Sequence, residues 1–196
     1  MSALIRSLLL LLIVAVGAPA VAQSPLTPMF DLGQLARFRP VEVGMFSSYD
    51  RTGNNDDGFS GAHSFLRKEG DGLVIAELKG PGALTRIWTP TPIDEPIEFY
   101  IDGETRPRIR LPFSALFTGR QAPFTGELVG QGLGGYFSYV PIEFERSIKV
   151  VVRAPKLQFY QINYVLYAPG TRVRSGAATP PPALRANAEG DTVAKD

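Results

Sequence analysis

The feature that most constrains the fold of this chain is a series of short strand-like segments, each closed by a turn signal. Apolar and polar residues alternate along these segments, and turn residues recur about every 8–12 positions, as in antiparallel sandwiches and jelly rolls. The segments are Leu73 to Leu78, Ala83 to Thr89, Pro96 to Ile101, Arg106 to Leu111, Tyr136 to Phe144, Ser147 to Arg153 and Gln158 to Tyr167. The sequence therefore predicts an all-β fold, an antiparallel jelly-roll sandwich of about eight strands.

The segments between the strands carry their own signals. Lys79-Gly80-Pro81-Gly82 predicts a turn, and Asp102-Gly103 is the two-residue signal of a β-hairpin. Phe113 to Phe117 predicts a helical turn at most, whereas Gly119 to Gly135 is rich in Gly and predicts a long loop.

One short helix is predicted ahead of the strands, over Asp31 to Phe38. Asp31 can cap it, and Leu32, Leu35 and Phe38 fall on one face at helical spacing. Pro40 then ends the helix, because proline cannot continue the backbone hydrogen bonds. We expect this helix to pack over a sheet edge.

The first residues have the features of a secretory signal peptide. Arg6 gives the positive start, Leu8 to Val16 is apolar, and Ala20-Val21-Ala22 offers small residues for cleavage. The apolar run is too short for a comfortable membrane span. We expect a secreted or periplasmic bacterial protein that is not held in a membrane after cleavage.

The chain divides into four predicted parts. Residues 1–22 are the signal peptide, 23–44 a lead-in with the short helix, and 45–173 the jelly-roll domain. Residues 174–196 contain Thr-Pro-Pro-Pro and several Ala without apolar periodicity, and they predict a disordered tail or a truncated linker.

The charge balance excludes some classes of partner. The chain has 20 basic and 19 acidic residues, and removal of Arg6 leaves 19 of each. Such a balance argues against binding nucleic acid or a membrane surface by bulk electrostatics. With no Cys, the chain cannot form disulfides.

His63 is the single histidine, so neither a histidine-based metal site nor a Ser–His relay can be assembled. The sequence also has no phosphate loop or nucleotide fingerprint. We therefore predict no metal and no cofactor.

A polar loop over residues 47–59 is the densest group of candidate functional residues. Asp50, Asp56 and Asp57 bring three carboxylates together, while Gly53 and Gly58 allow the backbone to fold back. A calcium loop fits poorly, because no Glu stands twelve positions from Asp50 and Gly is not at the sixth position. A solvated loop and a sugar-binding loop remain as alternatives.

No catalytic residue is predicted, because neighbouring carboxylates this close more often cap turns than act as acid and base. Arg86 and Trp88 lie two apart on one strand and share a face, which makes a plausible platform for a sugar. Glu143 and Glu145 are expected on a solvated strand face. The candidate substrate-binding residues are Tyr49, Asp50, Arg51, Asn54, Asn55, Asp56, Asp57, Arg86 and Trp88.

Several ordered segments resemble one known family. They are Ser-Ser-Tyr-Asp-Arg-Thr-Gly-Asn-Asn-Asp-Asp-Gly-Phe at 47–59, Ala-Glu-Leu-Lys-Gly-Pro-Gly-Ala-Leu-Thr-Arg-Ile-Trp at 76–88, Phe-Tyr-Ile-Asp-Gly-Glu-Thr-Arg-Pro at 99–107, Tyr-Val-Pro-Ile-Glu-Phe at 139–144 and Phe-Tyr-Gln-Ile-Asn-Tyr at 159–164. Together they resemble the domain of unknown function 2961 family, which is grouped as glycoside hydrolase family 172. The resemblance covers essentially all of the predicted fold.

This resemblance implies a secreted enzyme that acts on furanosides such as difructose anhydride or D-arabinan. It also implies two jelly rolls in tandem and assembly as trimers or multiples of trimers. The family's two catalytic glutamates lie in the second half, in a Trp-rich Glu-Gly-Asp segment and a Gly-Thr-Gly-x-Glu-Asp-Tyr segment. Glu69-Gly70-Asp71 and Glu189-Gly190-Asp191 repeat three letters of the first segment without its aromatic context.

Two hypotheses follow from the sequence. In the first, the chain is the N-terminal jelly roll of a furanosidase whose catalytic half is missing. In the second, it is a stand-alone secreted jelly roll that binds glycan or serves assembly without catalysis. The predicted partners are a furanoside glycan and further copies of the chain in a trimer-based homo-oligomer, and a compact trimer with a closed interface would favour the second hypothesis.

Overall fold

The computed structural model describes Gly33 and residues 36–177. Within these residues two antiparallel sheets pack face to face as a β-sandwich, with a small two-stranded sheet beside them. The predicted all-β antiparallel sandwich is therefore confirmed. The strands are β1 (Val41–Ser47), β2 (Arg67–Glu69), β3 (Gly72–Lys79), β4 (Gly82–Thr89), β5 (Pro96–Ile101), β6 (Ile109–Pro112), β7 (Arg120–Gln121), β8 (Phe124–Thr125), β9 (Val129–Gly132), β10 (Gly135–Ser138), β11 (Ile142–Phe144), β12 (Ser147–Val152), β13 (Gln161–Tyr167) and β14 (Gly176–Ala177).

The larger sheet has seven strands among the described residues, and β4 is at its centre. Its main path runs β1-β13-β4-β10-β9, while β11 pairs with both β4 and β14. The second sheet has the order β2-β3-β12-β5-β6. Because β4 contacts β10, β11 and β13, its residues determine what each face of the larger sheet presents.

The core fills the space between the two sheets with large aliphatic and aromatic side chains. Ile75, Phe99 and Phe144 are fully buried, and Phe113 enters from a 3₁₀ helix over Phe113–Phe117. Burial of such side chains removes apolar surface from water and supplies the main driving force for folding. Tyr160 also lies in this core, where its hydroxyl donates to the Ile75 carbonyl at 3.0 Å.

A β-bulge at Thr85 sets the two faces of β4. Asn163 of β13 pairs with Arg86, but the next residue, Tyr164, pairs with Leu84, so Thr85 is the extra residue. Leu84 is buried in the core, and without the bulge Arg86, two positions away, would point into the core as well. The bulge places Arg86 and Trp88 together on the outer face.

The outer face of the five-stranded sheet is covered by an ion-pair network. Glu98, almost buried, accepts from Tyr100 and Arg153 and pairs with Arg110. Burial acts to raise the pKa of Glu98, but these hydrogen bonds outweigh it and hold the pKa below its ordinary value. The charged members of the network are Arg67, Glu69, Asp71, Glu77, Glu98, Arg110, Lys149 and Arg153.

Several predicted elements differ from the structure. The predicted helix over Asp31 to Phe38 falls largely outside the described residues, and its described residues 36–38 form a turn and irregular chain instead of α-helix. The Gly119 to Gly135 segment is not a plain loop, because it holds β7, β8, a 3₁₀ turn at Gly126–Leu128 and β9.

The strand count and the domain edges also differ. Fourteen strands are present in the described part of the chain because short segments such as β7, β8 and β14 add to the longer ones. β1 begins at Val41, inside the predicted lead-in, and β14 lies inside the predicted tail. The predicted signal peptide and the rest of the tail, from residue 178, lie outside the described residues.

The helical turn over Phe113–Phe117 is confirmed. A turn is also present at Asp102-Gly103, where both residues have positive φ and the Glu104 amide donates to the Ile101 carbonyl at 3.1 Å. The predicted two-residue hairpin is wrong, however, because residues 102–108 all lie between β5 and β6. None of the helical segments in the described range has the length and apolar character that crossing a membrane requires.

Tyr160→Phe tests the polar contact inside the core. Loss of the hydroxyl leaves the buried Ile75 carbonyl without this donor, and we expect the free energy of unfolding to fall by about 1–2 kcal/mol. Urea denaturation monitored by fluorescence measures the change. Tyr49→Phe is the matched control because Tyr49 is 55% exposed. An equal loss in both variants would contradict the role given to the Tyr160 hydroxyl.

Candidate functional site

Asp50 is the structural centre of the polar loop. Its carboxylate is buried and accepts from the Thr52 hydroxyl at 2.6 Å, the Thr52 amide at 2.9 Å and the Asp56 amide at 3.2 Å. The same carboxylate lies 3.2 Å from His63 Nε2. The hydrogen bond from the Thr52 hydroxyl contributes most to holding the pKa of Asp50 below its ordinary value. This carboxylate therefore serves to close the loop.

Asp56 and Asp57 are used in the same way. Asp57 accepts from the Asp50 amide at 2.7 Å, and Asp56 accepts from the amide and hydroxyl of Ser60. The hydrogen bond from the Ser60 hydroxyl is the main reason that the pKa of Asp56 lies below its ordinary value. All three loop carboxylates thus accept hydrogen bonds from within the loop, as turn-capping Asp residues do.

The loop is also bonded to the body of the domain. Ser48 donates to the Asp57 carbonyl at 2.8 Å, and its hydroxyl accepts from the Tyr160 amide at 3.4 Å. Gly58 has φ +123 and lies so close to Phe159 and Ser48 that a Cβ would crowd both side chains. The loop is therefore a rigid, closed structure built against the start of β13.

The remaining candidate residues of the loop are more exposed. Arg51 donates to the His63 carbonyl at 2.8 Å and stacks on the Tyr49 ring at 5.1 Å. Asn54 donates to the Thr52 hydroxyl at 2.9 Å, and Asn55 is exposed. Tyr49, Arg51 and Asn55 are therefore among the loop side chains that remain accessible to a ligand, together with Asn54 and Phe59.

Arg86 and Trp88 are brought together as predicted, on the outer face of the seven-stranded sheet. The Arg86 guanidinium carbon lies 5.8 Å from the centre of the Trp88 ring. Arg86 Nη1 donates to the side-chain oxygens of Gln161 at 2.8 Å and Asn163 at 3.3 Å. These contacts hold a cation beside an aromatic ring in a fixed arrangement.

The sequence prediction missed three partners of this pair. Gln161 and Asn163 of β13 lie directly across from Trp88 and Arg86, and Phe137 of β10 lies across from Trp88 on its other side. Strand pairing puts such residues on one face, but the pairing could not be derived from a single sequence. We call this set the outer-face row: Phe137, Trp88, Arg86, Gln161 and Asn163.

Two glycines allow the aromatic rings of the row to lie against the sheet. The Trp88 indole occupies the space that a Cβ on Gly135 would take, with Nε1 only 2.2 Å away. The Phe137 ring lies 3.2 Å from the corresponding position on Gly130. The rings therefore cover backbone on one side and keep their outer sides partly exposed.

The polar loop begins at one end of the outer-face row. Ser47, the last residue of β1, pairs with Gln161, which pairs in turn with Trp88. Two strand spacings separate Ser47 from Trp88, or about 10 Å. The loop and the row are therefore neighbours on the molecule.

Glu143 differs from its predicted position. The alternation in β11 predicts a solvated side chain, but Glu143 is only 8% exposed, on an interior strand of the larger sheet with β14 on one side and β4 on the other. Burial raises the pKa of Glu143 to about 7. Burial likewise raises the pKa of Tyr167, which Glu143 raises further. Within the described residues, the buried Tyr167 hydroxyl has no hydrogen-bond partner.

No group of three or more His, Cys, Asp or Glu side chains in the described range is arranged to hold a metal ion. The side chains of the loop and the row offer hydrogen bonding, stacking and charge. These are the interactions of a binding surface.

Asp50→Asn tests whether the loop depends on its central carboxylate. The substitution removes acceptor capacity from a group that holds Thr52 and Asp56, so we expect a lower melting temperature and faster proteolysis within residues 48–60. Asn55→Ala is the matched control because Asn55 is exposed. Equal melting temperatures for Asp50→Asn and the unchanged protein would contradict this role.

Glu143→Gln tests the buried carboxyl. Below about pH 4.5 both folded and unfolded states hold the proton, so Glu143 has no effect there. As pH rises toward 7 the unfolded state ionises first, so wild-type stability falls. The variant should therefore gain about 2 kcal/mol relative to wild type between pH 5 and 8.

Glu145→Gln is the matched control for this measurement, because Glu145 is the exposed carboxylate two residues away. Urea denaturation at each pH gives the difference between variant and wild type. A difference that stays constant with pH for Glu143→Gln would contradict the raised pKa.

Comparison with known proteins agrees with the architecture. The family model described as GH172 first beta-sandwich domain matches residues 39–179, which is most of the chain and includes both sheets, the loop and the outer-face row. None of the curated proteins matches the chain at a significant level. The chain belongs to glycoside hydrolase family 172, through its first β-sandwich domain.

Proposed function

We propose that this domain is the non-catalytic first β-sandwich of a secreted glycoside hydrolase that acts on furanosides, of the difructose anhydride or D-arabinan type. The observation that carries the proposal is the match of the whole sandwich to the first domain of that family. Export would use the signal-like residues 1–22, and the two catalytic glutamates would come from a second domain.

The described carboxylates support a non-catalytic role. A glycosidase needs two carboxyl groups about 5 Å apart for retention, or roughly 6.5–9.5 Å apart for inversion. The carboxylates of Asp50, Asp56 and Asp57 all accept hydrogen bonds from within the loop. Burial raises the pKa of Glu143 to about 7. Such a single buried acid is not a catalytic pair.

The exposed apolar residues of β1 support assembly. Val43 is 73% exposed and Met45 is 47% exposed, both on the outer face of an edge strand. Apolar side chains grouped in this way usually mark a contact with another domain or subunit. This agrees with a second domain or a trimer-based homo-oligomer as the neighbour.

The alternative function is a stand-alone glycan-binding or assembly module. The outer-face row favours it, because stacking and hydrogen-bonding groups would bind a sugar without any catalytic pair. Trp88 and Arg86 carry this alternative, and it shares its carbohydrate partner with the first proposal.

Hydrolysis assays test the proposal. We expect the purified 196-residue protein to release no fructose from difructose anhydride and no arabinose from D-arabinan above the rate of a buffer blank. Addition of a family 172 second domain that contains both glutamate segments should restore release, because the missing acid and base are then supplied.

Two results separate the hypotheses. Sugar release by the protein alone would contradict the non-catalytic role. If no added second domain restores sugar release and the protein still binds sugar, the hydrolase proposal would be contradicted and the stand-alone module favoured.

A further inference from the structure

We propose that the outer-face row is a binding platform for an extended glycan chain, built on the β-sandwich itself and separate from any catalytic carboxylates. The identity of the glycan as a furanose polymer rests on the proposed function. The platform itself does not rest on the proposed function. Its geometry suits a polyol whose rings have apolar faces, whether those rings are furanoses or pyranoses.

The aromatic half of the row provides stacking surfaces. Trp88 and Phe137 are paired across β4 and β10, and both are partly exposed on the same face. The C–H face of a sugar ring is apolar, so it can leave water by packing against an aromatic ring. Gly135 and Gly130 hold the rings against the backbone, so little side-chain freedom is lost on binding.

The polar half of the row provides hydrogen bonds for hydroxyl groups. Arg86 uses Nη1 for Gln161 and Asn163, and its other guanidinium nitrogens have no partner within the described residues. The two amides accept from Arg86 through their oxygens, which leaves each NH₂ group as a donor. A hydroxyl can accept from these donors and donate to the remaining oxygen lone pairs, as a sugar requires.

The arrangement favours a chain over a single sugar. The row extends across β13, β4 and β10, and the outer face continues to Gly130 on β9. Three strand spacings cover about 14 Å, which is longer than one sugar ring. The aromatic side chains lie toward one end of the row and the amides toward the other. One sugar ring of a chain would therefore stack on an aromatic ring, and the next would form hydrogen bonds with the amides.

The opposite outer face has a different composition, and this contrast supports the assignment. On the five-stranded sheet, cations and carboxylates neutralise one another, as in the pairs Arg153–Glu98 and Lys149–Glu69. Tyr100 there is engaged by Glu98 and Arg153. On the seven-stranded sheet Arg86 bonds to two amides and pairs with no carboxylate in the described part of the chain, so its charge remains available to a ligand.

Isothermal titration of the purified protein with defined glycans tests the platform. The probes are D-arabinan oligosaccharides and inulin as furanose chains, with laminarin as a pyranose chain. We expect saturable binding of at least one probe. Trp88→Ala should reduce the association constant about tenfold or more, as loss of a central aromatic contact does.

Gly135→Ala is the second variant, and it retains every residue of the row. Its new Cβ must displace the indole, so binding should fall by a similar factor while the fold is kept. Gln161→Ala should cost less, about threefold to tenfold. Tyr100→Ala, an aromatic on the other sheet, is the matched control and should bind as wild type does. Circular dichroism verifies that each variant is folded.

The outcomes separate this proposal from the preceding one. If the protein binds laminarin and furanose chains equally, and Trp88→Ala loses this binding, the platform would be supported and furanoside specificity contradicted. Absence of binding to all three probes, or binding that Trp88→Ala and Gly135→Ala leave unchanged, would overturn the platform. A change of oligomeric mass in Trp88→Ala without any glycan binding would also overturn it, because the row would then be a subunit contact.

Discussion

The bulge at Thr85 is the constraint on which the arrangement of this domain depends. β4 pairs with three other strands, so the orientation of its side chains is imposed on the whole larger sheet. One extra residue allows Leu84 to fill the core while Arg86 and Trp88 both face outward. The row on the outer face, its partners on β13 and its stacking neighbour on β10 all follow from this single change of register.

The polar loop illustrates how a chemically rich segment can have a structural role. Its three aspartates are drawn together, as the spacing of charged and Gly residues predicts, but each accepts hydrogen bonds from backbone or hydroxyl groups nearby. The loop is thereby fixed against Ser48 and Tyr160, beside the start of β13. The loop therefore begins beside one end of the outer-face row, with the exposed side chains of Tyr49 and Arg51 close to it.

The fold was predictable from sequence because its strands alternate strongly and its turns carry their own residues, as at Asp102-Gly103. The placement of Arg86 and Trp88 on one face was predictable for the same reason, since they lie two apart in one strand. Gln161 and Asn163 were not, because they join the pair through long-range strand pairing. Glu143 was wrongly placed for a similar reason: alternation within β11 cannot show that this strand lies inside the sheet, between β4 and β14, with its carboxyl buried.

The most direct test of a glycan platform in this family 172 domain is a crystal structure with a bound D-arabinan oligosaccharide. We expect sugar rings over Trp88 and Phe137, with hydroxyls within hydrogen-bond distance of Arg86, Gln161 or Asn163. Density for the sugar only at another surface, or an outer-face row covered by a neighbouring domain or subunit, would contradict the platform. In that case the row would be a structural interface, and sugar recognition would have to lie elsewhere in the enzyme.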